Sequence, residues 1–177
     1  TVKAGEQVSR VVRLVGSDSH QDGGFEAEVD VSNKKMKSSK RLGLDAQVSY
    51  NFFELFAAMD LTRSNEEWLA AIKERGIACE TEEDLKLIQI DPWPAGGYAH
   101  PSIPEGHRAL RCIAFVREDA TDNGYARPIH GLMTHVDLTA GKVAHVEDSG
   151  AIPLPPNSGR YDTPHQETVR SGLKDLS

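Results

Sequence analysis

The chain has 177 residues, 38% of them hydrophobic and 27% charged, which is the composition of an ordinary globular protein rather than of a disordered or fibrous one. With 20 Lys and Arg against 27 Asp and Glu its net charge is −7, and no basic run exceeds the length of Lys34-Lys35, so a nucleic-acid partner, whose phosphates are bound by clustered positive charge, is not expected. No stretch approaches the roughly 18 consecutive apolar residues of a membrane span, and the first twenty residues, with Arg10, Arg13 and Asp18 among them, lack a signal-peptide core; a soluble chain is expected.

The first elements read as β. Val8 to Val15 (VSRVVRLV) is followed by a turn-rich GSDSHQDGG, and then Phe25, Ala27, Val29 and Val31 alternate with Glu26, Glu28 and Asp30, the pattern of a hairpin with one wet face. Lys34 to Lys40 is basic and polar, a solvated strand or loop rather than an anion site.

Two helices come next. Asn51 with Glu54 forms a capping signal, and Phe52, Leu55, Phe56 and Met59 make one apolar stripe, expected to face the core. Ser64 with Glu67 is a complete capping box for a second helix over about Asn65 to Arg75. Its buried face is Trp68, Leu69 and Ile72, Lys73 and Arg75 lie in the last turn, and Gly76 takes a left-handed exit. The acidic TEEDLK after it reads as a connector, and a domain boundary is expected near Ile77 to Glu83.

The remainder reads as strands. Leu85 to Asp91 is expected to stop at Asp91-Pro92-Trp93-Pro94, where proline removes ladder donors, and a loop through Ala95 to Gly106 follows. Leu110 to Val116 (LRCIAFV) is apolar on both faces and suits a strand central to a covered sheet. Asp122-Asn123-Gly124 is a turn. Gly131 to Leu138 and Lys142 to Val146 flank a short hairpin connection at Thr139-Ala140-Gly141, and the Pro-rich AIPLPPNSGRYDTP leads out as a strap. The fold class is α+β: two small domains, each a mostly antiparallel sheet with helix packing, over residues 1–78 and 79–156, then a linker over 157–177.

Motif chemistry is sparse. There is no GxGxxG, GxxxxGK[ST], HExxH, GxSxG or EF-hand loop. Cys79 and Cys112 match no CxxC spacing and read as free thiols, with Cys112 too buried in its strand to serve as a nucleophile. His130, His135 and His145 invite a metal hypothesis. Pairing Leu138 with Lys142 makes His135 and His145 cross-strand neighbours, whereas pairing Leu138 with Val143 puts them on opposite faces, and His130 falls on the other face from His135. Two ligands are too few, so no metal site is assigned. Glu147 and Asp148 are adjacent carboxylates at a strand end, pointing opposite ways and read as solvated. Trp93 to Ile103, with Trp93, Tyr98 and Ile103 among Gly and Pro, reads either as a partner-facing loop or as a lid packed on its own sheet.

Several blocks in order, Ile88-Gln-Ile-Asp-Pro-Trp-Pro-Ala-Gly-Gly97, Arg108-Ala-Leu-Arg-Cys-Ile-Ala-Phe-Val-Arg117, Asp122-Asn-Gly-Tyr-Ala-Arg-Pro-Ile-His-Gly131, Val136-Asp-Leu138 and Val146-Glu-Asp148, resemble the amino-terminal part of copper-containing primary amine oxidases. Leu85 to Pro156 is similar to the small domain that precedes the linker to the catalytic β-sandwich in that family, and Val8 to Gly76, less specifically, to the domain before it. His130 departs from the acidic residue the family commonly has there.

The resemblance implies two cystatin-like domains and a non-catalytic role. The parent enzyme would deaminate primary amines to aldehyde, ammonia and hydrogen peroxide with copper and a tyrosine-derived quinone. Neither the family's His-x-His nor its Asn-Tyr-Asp/Glu occurs here; the nearest look-alike, Arg160-Tyr161-Asp162, lacks the Asn. The resemblance thus implies no catalytic, cofactor or metal residue in this stretch, a β-sandwich of the parent chain as partner, a homodimeric parent, and Tyr98 as the aromatic facing the substrate channel. The opening at Thr1 without Met fits a processed product or a piece of something longer. The alternative is a stand-alone cystatin-like module that binds a protein or peptide.

Overall fold

The structure, a computed structural model, describes residues 8–18, 21–44, 46–157 and 159. The look-alike Arg160-Tyr161-Asp162 and nearly all of the expected linker lie outside the described residues. The element order is β1 (Val11–Asp18), β2 (Gln21–Asp30), β3 (Lys35–Arg41), α1 (Phe52–Arg63), α2 (Glu66–Glu74), α3 (Glu82–Leu87), β4 (Ile88–Pro94), β5 (Ala109–Val116), β6 (Leu132–Asp137) and β7 (Lys142–Asp148). The strands form two antiparallel sheets, β1-β2-β3 and β4-β5-β6-β7, and the class is α+β as expected.

The described residues form two compact units, one of those up to Asn51 together with 104–108, the other of 52–103 together with those from Ala109 onward. They part at Asn51, not near Ile77 to Glu83, because α1 and α2 pack on the β4–β7 sheet. No helix of the described residues therefore covers the first sheet within its own unit, against the expectation of helix packing in each domain.

In the first unit the expected hairpin is present, with Val11 opposite Asp30 and Val15 opposite Glu26, and the basic segment adds β3, exposed along its whole length. Pro104 to Arg108, though between β4 and β5 in sequence, belongs here: the Arg108 guanidinium lies 4.2 Å from the Tyr50 ring centroid, and Gln47 donates to the His107 carbonyl at 2.8 Å.

In the second unit the helices differ from their sequence patterns in instructive ways. The Phe52/Phe56 side of α1 does not face the core: Phe52, Phe53 and Phe56 are 76%, 85% and 57% exposed. The buried positions are Ala58 and Thr62, whose small side chains let the helix backbone approach the sheet closely; Thr62 Oγ1 lies 2.8 Å from Thr134 Oγ1, and the Cys112 thiol reaches the Ala58 carbonyl. A Phe at those positions would hold the helix off.

The second helix is capped by Asn65, whose Oδ1 accepts from Trp68 N at 2.9 Å, while Ser64 turns back to donate to the Asp60 and Leu61 carbonyls and closes α1 instead. Trp68, Ala71 and Ile72 are its buried residues, and Gly76 exits with φ +69°. The acidic connector is itself a short helix, α3, because Thr81 and Asp84 form a reciprocal capping box.

The strand β4 runs on through Pro92 and Pro94, pairing Pro92 with Cys112, instead of stopping at Asp91. It can do so because it is an edge strand, where a proline's missing donor faces outward. The apolar run Leu110 to Val116 is the interior strand β5, with Leu110, Cys112 and Ala114 buried toward α1.

Candidate functional site

The face of the second sheet opposite α1 carries a row across all four strands. Trp93 of β4 pairs with Arg111 of β5, Arg111 with His135 of β6, and His135 with His145 of β7. The last pairing depends on an irregularity. The turn sets Asp137 opposite Lys142 and Val136 opposite Val143, a register that would slide His135 past His145. The bulge between His135 and Val136 restores the match, and Ala144 becomes the additional residue. The observed turn register is neither of the two considered from sequence.

The segment after β4 folds over one end of this row. Ala95 and Ile103 are buried with Ala109, and Ala144 packs against them. Ser102 donates to the Ala144 carbonyl at 3.4 Å. His100 stacks on His145 with ring centroids 4.0 Å apart and planes 17° apart, and lies 5.2 Å from His135, which is itself 5.8 Å from His145. His100 Nδ1 sits 2.8 Å from Ser102 Oγ, and His135 Nε2 3.1 Å from Glu147 Oε2. Loss of water and the neighbouring imidazoles of His145 and His135 hold the His100 pKa below its ordinary value. His135 is 5% exposed, and its Nδ1 is buried without a hydrogen-bond partner, as is Arg111 Nε.

Tyr98 ends a 3₁₀ turn (Gly96–Tyr98) and is 77% exposed, its ring 5.7 Å from the Arg111 guanidinium. Trp93 is exposed too, its indole N–H donating to Asp91 Oδ2 at 3.0 Å, an oxygen the Tyr125 hydroxyl also reaches at 3.2 Å. Of the three residues expected to face a partner, Trp93 and Tyr98 are on the surface, whereas Ile103 is buried under the loop. The segment is thus both lid and display.

The other candidates disperse. His130 is exposed beside Gly131 and away from the cluster. Glu147 and Asp148 do point opposite ways, but neither is merely solvated: Glu147 holds His135, and Asp148 receives both terminal nitrogens of Arg75. The Cys112 thiol, pushed up to about 11 by burial, is not a nucleophile at neutral pH. Among the described residues no group of three or more His, Cys, Asp or Glu is arranged to hold a metal ion, the ring contacts of His100, His135 and His145 notwithstanding. Sequence reading missed His100 and Arg111. Neither carries a local signal, because the loop closure and the β5–β6 register bring them in.

The geometry defines small α+β units, the second of which carries an aromatic and imidazole-lined face. Comparison with known proteins says of what kind. No family model matches the chain. It is 34% identical over 176 residues to the primary amine oxidase of Arthrobacter sp. (strain P1), covering 99% of this chain and 26% of that protein. It is 26% identical over 158 residues to the histamine oxidase of Arthrobacter globiformis, covering 88% of this chain and 22% of that protein. A crystal structure of a copper-containing benzylamine oxidase from Hansenula polymorpha superposes with a TM-score of 0.59 at 13% identity, over 88% of this chain and 23% of that one, which supports the fold. The chain is similar to copper-containing amine oxidases, aligns with their amino-terminal region and spans about a quarter of the length of these relatives.

Proposed function

We propose that the chain serves as the amino-terminal, non-catalytic part of a copper- and quinone-dependent primary amine oxidase, supporting the fold and homodimer of a longer polypeptide and lining one side of its substrate channel. The observation that carries this reading is the 34% identity to an amine oxidase sustained over 99% of the chain. In the complete enzyme copper and quinone would supply the oxidative deamination of a primary amine to aldehyde, ammonia and hydrogen peroxide. Among the described residues no group of three or more His, Cys, Asp or Glu is arranged to hold a metal ion, and no step is assigned to them. The division proposed is of two small domains followed by a linker towards the catalytic β-sandwich, with the helices contributed to the second unit.

Tyr98 is the residue proposed to face the channel. What supports it is position: an exposed aromatic at the tip of a turn, on a segment held to its own sheet by Ala95 and Ile103. No helix among the described residues is long and apolar enough to cross a membrane.

The reading is tested at two levels. The coding sequence beyond Ser177 is expected to continue through a His-x-His and an Asn-Tyr-Asp/Glu; a stop codon there refutes it. In the complete enzyme, Tyr98→Ala is expected to change the ratio of kcat/KM for a bulky over a small primary amine at least threefold, with copper content and quinone absorbance unchanged. An unaltered ratio removes Tyr98 from the channel.

A further inference from the structure

We propose that the segment 95–103 is a pH-sensitive latch, held on the β5–β7 face by the stack of His100 on His145 beside His135 and released when His100 takes up a proton. The latch does not depend on the amine oxidase reading.

The segment is joined to the sheet at its start by the Ala95 N–H, which donates to the Ala109 carbonyl at 3.2 Å, and by the Tyr98 ring near Arg111, with three further contacts. These are the apolar contact of Ala95, Ile103 and Ala109 with Ala144, the Ser102 bond to the Ala144 carbonyl, and the stack of His100 on His145. Neutral imidazoles stack well. A charged His100 ring loses that stacking and lies 4.0 Å from the His145 ring and 5.2 Å from that of His135.

Charged and titratable groups face the cluster from each element packed against it. From β7, Glu147 Oε2 lies 3.1 Å from His135 Nε2 and brings a carboxylate to the cluster. From β5, Arg111 stands opposite His135 and adds positive charge to the same face. From β4, Asp91 is engaged by the Trp93 indole and the Tyr125 hydroxyl. The segment itself brings Tyr98 and His100 but no carboxylate. A proton on His100, whose Nδ1 is hydrogen-bonded to Ser102 and which feels Glu147 only through space, adds positive charge to the stack and weakens it.

The sign is consistent. Because the folded His100 pKa lies below the ordinary histidine value, the closed segment binds protons less well than the open one. Closure is complete above the ordinary value and weakens as pH falls below about 6.5.

The experiment is amide hydrogen exchange of the full chain between pH 7.5 and 5.0, corrected for intrinsic rates, read at Tyr98 and Ile103, whose N–H groups bond the Ala95 and His100 carbonyls at 3.0 and 2.8 Å. Protection at these two amides is expected to fall at least tenfold by pH 5.0 while β5 amides keep theirs. His100→Phe and His145→Phe each keep a ring in the stack and remove one charge, and each should abolish most of that fall. His100 sits on the surface segment, so its variant folds even where the half-buried His145 position fails. No pH response in the parent chain, or the same response in His100→Phe, overturns the proposal.

Discussion

Arg75 ties α2 to the end of the second sheet, and its removal can be worked through from the structure. It caps the C-terminus of α2, where Nη1 donates to the Ala71 carbonyl at 3.0 Å, and its fork then crosses to the far end of the sheet. Nη1 and Nη2 meet the two Asp148 oxygens at 3.0 and 2.5 Å, and Nη2 also reaches the Gly150 carbonyl at 2.9 Å and the Gly131 carbonyl at 3.3 Å. The arginine side chain is 3% exposed and that of Asp148 30%. Arg75→Met keeps the bulk and deletes the charge, leaving a carboxylate and three carbonyls to find water or nothing. Breaking a buried pair from one side costs about 3–5 kcal/mol, and because Asp148 retains some water the lower end, about 3 kcal/mol, applies. For a chain of this size that corresponds to a fall in Tm of about 6–12 °C.

The assay is urea unfolding of Arg75→Met, Asp148→Asn and the double variant, with the pairwise coupling taken from the cycle. The pH dependence supplies an independent check. Arg75 and the Gly150 N–H hold the Asp148 pKa below 3.8, so this pair stabilises the fold above that value and the contribution is lost as pH falls through the depressed folded value. Arg75→Met should therefore lose less stability than the parent between pH 5 and pH 3. A loss under 1 kcal/mol at pH 7 with no coupling to Asp148 would refute the reasoning, placing Arg75 among ordinary surface arginines.

Thr62→Val should cost about 1–3 kcal/mol by stranding the buried Thr134 hydroxyl, and Thr62→Val with Thr134→Val should recover most of it; urea unfolding decides, and additive losses would deny the 2.8 Å pair any role. In the native chain at pH 8, thiol labelling followed by mass spectrometry should find half-buried Cys79 modified well before Cys112, whose pKa is near 11; equal rates would contradict its burial. Phe52→Ser with Phe53→Ser should change stability by no more than about 0.5 kcal/mol and reduce self-association at high concentration, measured by sedimentation velocity, since both rings stand in water.

Local signals in the chain were strong wherever a short stretch carries its own physics. The hairpin of β1 and β2, the apolar run of β5, the second helix with its Gly76 exit and the Thr139-Ala140-Gly141 turn are written in alternation, in apolar continuity or in residues that suit a left-handed backbone. The ordered blocks from Ile88 to Asp148 were likewise sufficient to point to the amine oxidases, and comparison with known proteins agrees. Only the tertiary structure decided matters that depend on what an element meets. The aromatic side of α1 was read as core because hydrophobicity ranks Phe above Ala and Thr, yet a helix lying close on a sheet needs small side chains at the contact. Periodicity cannot report how near the other surface comes. Prolines that forbid a central strand are harmless at an edge, and which strand is the edge is a property of the whole sheet. The histidine cluster makes the same point: His135 and His145 meet through a one-residue bulge, and His100 joins them from a loop 35 positions before His135 in sequence. Alternation along a strand determines which face a side chain takes only once the register is set, and register is a long-range fact.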